Sequence, residues 1–271
     1  MQAITEVTEK MHVRMESDTM RLSYREGTDE KERIFENHSH PSYELIAVLG
    51  GDISIVIGNR RFRLRGGEVA LIPPLVYHSV AVNAMVPYKR VTALFGTDAI
   101  PCEIRAELEA RAAESPTASS RVLDMPLAAL ESVAKGGRAA RDMPLVSALI
   151  TELLYAFTFK GEGLSAEHRV HPTVQAVCDY VDAHLCERLV LDDISAALFV
   201  SKSSICHLFH SEMKISPKQY VLQKKLSYAA RLISEGTPAT EAAATVGYGN
   251  YASFYKLYKK IFGASPSGSI R

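Results

Sequence analysis

Tryptophan is missing from this 271-residue chain, and cysteine is scarce, with four residues (Cys102, Cys178, Cys186 and Cys206) and no Cys-x-x-Cys pair. That pattern excludes a disulfide framework and a cysteine zinc site, so the thiols read as reduced packing residues. No apolar run reaches the roughly 18 residues of a membrane span, and the first stretch, MQAITEVTEKMHVRMESD, is too charged for a signal peptide. The expected location is the cytoplasm, with no membrane partner. Net charge is lacking as well, since 31 Lys and Arg balance 31 Asp and Glu. The balance is uneven along the chain. From His171 onward, 11 basic residues face 8 acidic ones, a net of +3 that leaves −3 for residues 1–170. A nucleic-acid partner is permitted for the last hundred residues, though not demanded.

The first hundred residues read as β structure. YELIAVL (43–49) precedes Gly50-Gly51, DISIVIG alternates Ile53, Ile55 and Ile57, and Gly58-Asn59 turns into RRFRLR. Residues 1–20 read as an arm or edge strand. Short strands parted by glycine turns predict a small antiparallel barrel or sandwich. Helical patterns follow at 103–114, 125–134 and 143–159, with SPTASS (115–120) as a loop. The last of these helices, MPLVSALITELLYAFTF, is apolar enough to need cover from the barrel or from a second subunit. Leu149, Leu153 and Phe157, with Leu154 beside them, are the expected dimer face. Lys160 to Val170 is polar and contains glycine, as an interdomain linker would. The expected division is a barrel at 1–100, a helical dimerisation region with linker at 101–170, and a helical domain at 171–271.

That last domain contains a repeat. Phe199–Pro217 (FVSKSSICHLFHSEMKISP), moved forward 49 residues, lies on Tyr248–Pro266 (YGNYASFYKLYKKIFGASP). Ser204/Ser253, Leu208/Leu257, Ser216/Ser265 and Pro217/Pro266 are identities, and aromatics match at Phe199/Tyr248 and Phe209/Tyr258. Each copy has an apolar stripe, Ile205, Leu208, Phe209 and then Phe254, Leu257, Tyr258. The opposite face bears Lys202, Ser203, Cys206, His207 and His210 in the first copy, and Tyr251, Ala252, Tyr255, Lys256 and Lys259 in the second. Ser201 is the expected N-cap of the first helix. Thr237-Pro238 is placed at N-cap and N1 of another. Two amphipathic helices with donor-rich outer faces, each entered through a tight turn, read as paired helix-turn-helix units.

Those residues carry a family resemblance. Ser201-x(7)-Phe209, the Ser216-Pro217-Lys218-Gln219-Tyr220 step, KLSYAARLI, and the run from Ala243 through Val246-Gly247-Tyr248-Gly249-Asn250 to Pro266 resemble the DNA-binding domain of AraC/XylS-type transcriptional regulators. Departures are Lys214 for a usual glycine, Lys225 for arginine, Ala239 and Ala242 for isoleucine, and Ser269-Ile270 for a closing Tyr-Arg. In the N-terminal part His38-x-His40-x(3)-Glu44-x(6)-Gly51 resembles the first cupin motif. Gly67-x(5)-Pro73 and His78-x(4)-Asn83 resemble the second loosely, with Leu75 at a usual glycine.

The resemblance implies an α+β protein of two domains. A cupin-like antiparallel β-barrel with following helices precedes an all-α domain holding two helix-turn-helix units. It implies a ligand-responsive regulator that binds promoter DNA through Ser201, Lys202, Ser203, Cys206, His207, His210, Asn250, Tyr251, Ala252, Tyr255, Lys256, Lys259 and Lys260. Its partners would be a small-molecule effector (a sugar or other metabolite), a second copy of the chain, and RNA polymerase if it activates. No catalytic residue is implied. His38, His40, Glu44 and His78 are the candidate effector-binding residues, and as three imidazoles and a carboxylate they suit a divalent transition metal such as Fe, Mn, Ni or Zn. The plainer alternative makes them a hydrogen-bonding framework or a pocket lining. The rival function is a metal-dependent cupin enzyme fused to a DNA-binding domain.

Overall fold

The computed structural model describes residues 11–17, 19–27, 33–34, 38–82, 87–136, 139–166, 168–213, 215–262 and 264–266. Strands β1 (Met11–Glu16), β2 (Met20–Gly27), β3 (Arg33–Ile34), β4 (Tyr43–Gly50), β5 (Asp52–Ile57), β6 (Arg60–Arg65), β7 (Glu68–Ile72), β8 (His78–Val82) and β9 (Tyr88–Phe95) come first. Helix α1 (Arg105–Glu114), strand β10 (Thr117–Ser119), helices α2 (Asp124–Gly136) and α3 (Ala139–Phe159), and strand β11 (His168–Arg169) follow. The remainder is helical: α4 (Pro172–Ala183), α5 (Leu191–Leu198), α6 (Lys202–Met213), α7 (Pro217–Ser234), α8 (Ala239–Thr245) and α9 (Tyr251–Phe262).

Two antiparallel sheets face each other, one in the order β1-β2-β9-β4-β7-β10 and the other β11-β6-β5-β8-β3. Ile46, Val48, Ile53, Ile55, Phe62, Leu64, Ile72 and Val82 fill the space between them. Period-two alternation sends their strand neighbours to the outer faces. On the first sheet those neighbours (Leu22, Tyr24, Leu45, Leu71, Ala93) form a second core with α1, α2 and α3. Gly51 has φ +72°, and a Cβ there would lie 2.1 Å from the Pro87 carbonyl oxygen, so this turn requires glycine.

Four expectations change. Residues 117–119 are strand rather than loop, because their backbone pairs with Glu68–Ala70 of β7. The barrel therefore continues beyond residue 100. The segment 160–170 is no free linker. Ser119 and Glu162 exchange two backbone hydrogen bonds of 2.9 Å, β11 pairs with β6, and Val170 is buried. Leu164 and Ala166 anchor it by packing on the barrel core.

The third change concerns α3. Leu149, Leu153, Leu154 and Phe157 are buried against the protein's own sheet and helices, so the expected dimer face is occupied within the chain. Asp142–Phe159 is apolar and long enough to cross a membrane by composition alone, yet this side of it is core. Finally, Pro238 sits at the N-cap of α8 and not at N1, so the helix opens one residue later than expected, and no side chain caps it. Asn83, Lys214, Ser269 and Ile270 lie outside the described residues.

Candidate nucleic-acid interface and histidine cluster

Helix α5 opens with Asp192 and Asp193 in its first turn, where carboxylates favour the helix dipole. It ends at Phe199, whose φ of +54° makes the sharp turn. Ser195 Oγ donates to the Val200 carbonyl at 2.7 Å, and Ser201 Oγ accepts from Ser204 N–H at 3.1 Å, capping α6. Helix α6 buries Ile205, Phe209 and Met213. This leaves Lys202, Ser203, Cys206, His207 and His210 in solvent.

The second unit repeats that logic with different chemistry. Gly247 takes the left-handed position (φ +82°), and Asn250 Oδ1 accepts from Ser253 N–H at 3.1 Å to cap α9. Phe254 and Tyr258 are buried, while Tyr251, Ala252, Lys256, Lys259 and Lys260 are exposed and Tyr255 is half-buried. Lys259 and Lys260 fall in the last turn, the favourable end for cations.

The repeat is less regular in its turns than in its helices. Three residues separate α5 from α6, whereas five separate α8 from α9. Phe199 is consequently 97% exposed, while its sequence counterpart Tyr248 packs on Phe254 with ring centroids 5.5 Å apart. Glycine at 247 supplies the backbone conformation that Phe199 must adopt itself.

Between the units runs α7, whose 18 residues span about 27 Å. Ser216 and Gln219 close a full capping box at its start. Lys225 on this helix is buried, and its Nζ donates to the carbonyls of Glu187 and of Val246, the latter at 2.9 Å. One ammonium thus ties the chain before α5 to the end of α8, fixing the two units to one rod. Burial lowers its pKa, and the carbonyls supply the hydrogen bonds that make burial tolerable.

Two features of this surface escaped sequence reasoning. Lys202 Nζ lies 2.6 Å from Asp192 Oδ1, a pairing between helices that no periodicity signals. The role of Lys225 was equally hidden, because its acceptors are backbone atoms 38 and 21 residues away.

In the barrel the structure brings His38, His40, Glu44 and His78 together, with one potential ligand atom from each within 4.8 Å of the others. Backbone pairing explains it. His38 and His78 exchange N–H···O bonds of 3.0 Å, while Glu44 points inward from β4 on the face shared with Ile46 and Val48. His40 Nδ1 sits 2.9 Å from the Ser42 carbonyl, and His78 Nδ1 sits 2.9 Å from the Val76 carbonyl. A carbonyl only accepts, so each Nδ1 carries a proton. Both Nε2 atoms then face one oxygen, Glu44 Oε2, at 2.9 and 2.7 Å. His78 Nε2 is buried and makes no aligned hydrogen bond there despite its closeness. Burial alone would raise the Glu44 pKa, but the His40 and His78 contacts outweigh it and hold the carboxyl well below the usual range.

Imidazoles whose Nδ1–H is fixed by a carbonyl and whose Nε2 converges on a carboxylate form the donor arrangement of a metal site. The residues fit a divalent transition metal, with His38, His40, Glu44 and His78 as ligands. Leu75, at the place where the resemblance leads one to expect glycine, has φ +65°.

Comparison with known proteins agrees with both halves. Residues 23–154 match the AraC-like ligand binding domain family, and residues 194–270 match a helix-turn-helix domain family. A probable transcriptional regulator of Photobacterium leiognathi, LumQ, is 25% identical over 271 aligned residues, covering 90% of this chain and 95% of that protein. The HTH-type transcriptional regulator YdiP of Escherichia coli is 31% identical over 118 residues, covering 42% of this chain and 39% of that one. Among solved structures, a probable AraC family regulator from Rhodopseudomonas palustris aligns at a TM-score of 0.35 and 25% identity, covering 37% of this chain and 95% of that one.

Proposed function

The chain belongs to the AraC-type transcriptional regulators, ligand-responsive proteins that bind specific DNA, and from that premise we propose how this one works. It acts in the cytoplasm as a homodimer. Helices α6 and α9 enter neighbouring major-groove segments of a promoter, and a small effector such as a sugar or other metabolite is held by the barrel. RNA polymerase is a partner if the bound protein activates. The effector needs only to favour the arrangement in which both recognition helices engage, so no covalent chemistry is involved. One observation carries this proposal. Two exposed donor-bearing helix faces, each with a buried opposite stripe, are fixed to a single rod by Lys225. A metal-dependent enzyme would not need that construction.

The dimer face belongs on the outer side of α3. Leu145, Ala148, Glu152, Tyr155 and Phe159 are exposed there at alternating spacings of three and four, the pattern of a two-helix seam. Leu145, Tyr155 and Phe159 are 50, 52 and 45% exposed. Replacing Leu145 and Tyr155 by Glu is expected to give folded monomers in sedimentation, with weakened binding to a DNA fragment carrying two sites and little change on one site. A variant that stays dimeric places the seam elsewhere.

A further inference from the structure

One loop of the barrel reaches both helix-turn-helix units. Residues 73–77 join β7 to β8, and two of them, Leu75 and Tyr77, pack on different cores of the helical domain. Leu75 lies against the core of the second unit, which holds Phe254 and Tyr258, the buried stripe of α9. Tyr77 is buried in the core of the first unit with Ile205 and Phe209 from the buried stripe of α6. Its ring centroid is 5.5 Å from that of Tyr220 on α7, and Tyr220 in turn meets Phe209 at 5.3 Å. Two turns further along the same face of α7, the buried Ser227 Oγ lies 3.1 Å from the buried Oγ of Ser39 in the barrel.

Backbone hydrogen bonds fix this loop to the barrel at both contact residues. Leu75 N–H donates to the His40 carbonyl at 2.8 Å, and the Tyr77 carbonyl accepts from Gly58 N–H at 2.7 Å. Leu75 keeps a left-handed backbone (φ +65°) that is unfavourable to leucine. Glycine would adopt it readily but would bring no side chain to the second unit. The Tyr77 hydroxyl is buried with no hydrogen-bond partner among the described residues, so the contact is made by the ring.

We propose that Leu75 and Tyr77 are positioning residues for DNA recognition, which set the spacing of α6 and α9 from one barrel loop. Neither touches DNA; each acts through the core beneath a recognition helix. Lys225 ties the units from within the helical domain, and the loop adds a second tie from outside it. The second unit depends on that tie more, because α8 has seven residues and buries two alanines, Ala242 and Ala243. Two linked binding modules act together while their separation matches that of their sites, and a looser link lowers the effective concentration of the second. The role rests on the two-segment DNA binding proposed above.

The test uses the full-length chain and a genomic DNA fragment selected by wild-type binding, at one salt concentration. A second fragment carries two extra base pairs between the protected segments, which turn one segment by about 70° relative to the other. Wild type should bind this altered fragment about tenfold more weakly. Leu75→Gly, which keeps the left-handed backbone, and Tyr77→Ala should bind the native fragment roughly tenfold more weakly than wild type does. They should also distinguish the two fragments by less than about twofold. Tyr77→Phe should match wild type on both fragments with an equal or higher Tm, since it removes only an unpaired buried hydroxyl. Leu75→Gly decides alone if Tyr77→Ala does not melt cooperatively. Wild-type discrimination between the fragments in Leu75→Gly, or tighter binding of that variant to both, overturns the positioning role. Loss of discrimination in Tyr77→Phe overturns the part assigned to the ring. A wild type indifferent to the insertion overturns the two-segment binding on which the role rests.

Discussion

Glutamate at both Leu149 and Leu153 should unfold the N-terminal domain instead of releasing monomers. Both side chains are buried with Val146, Ile150 and Phe157 beneath the β1-β2-β9-β4-β7-β10 sheet. Truncating a buried leucine to alanine alone costs about 2–5 kcal/mol. Two carboxylates placed there add a desolvation cost, against a domain stability of roughly 5–15 kcal/mol. Circular dichroism should show lost strand signal, and limited proteolysis should degrade the region before residue 170 while fragments of the helical domain persist. Folded monomers from this double variant would mean that the face meets a second subunit after all.

The second large effect is on DNA binding. Lys256, Lys259 and Lys260 are exposed along α9, and Lys202 stands exposed at the start of α6. A lysine that neutralises a phosphate contributes roughly 0.9 to the slope of log affinity against log salt. Four such contacts per chain weaken binding by about a hundredfold between 50 and 200 mM salt. Replacing Lys259 and Lys260 by Ala should therefore flatten that slope by about two, lowering affinity for all sequences alike. Lys202 is the weaker contributor, since it must leave Asp192 to reach a phosphate. An unchanged slope in the double variant would remove the C-terminal turn of α9 from the interface.

Much of this was legible in the residues because local rules determine it. Strand alternation in DISIVIG, the glycine at 51, the Ser201 cap and the two apolar stripes all depend on near neighbours. The histidine cluster was readable through its spacing, and the structure brings all four side chains together. What sequence reading missed depends on distant pairing. Nothing in TAS (117–119) shows that β7 has a free edge to offer, and nothing in KGEGLSAEHRV shows that β6 will take its end as a strand. Helix α3 is apolar on most of its circumference, so composition could not say which face the barrel takes and which it leaves. The contact of Leu75 with the second unit joins residues some 150 positions apart, beyond any pattern a sequence displays.

Hydroxyl-radical footprinting of the full-length chain on its own promoter tests the central claim most directly. Each chain should protect two major-groove segments on one face of the DNA, about 10 base pairs apart, the separation a 27 Å connecting helix can serve. Substituting His207 and His210 by Ala should erase one segment, and substituting Lys256 should erase or shift the other. A single protected segment unaffected by either change, or no protection on any genomic fragment, would contradict two recognition helices working from one rod.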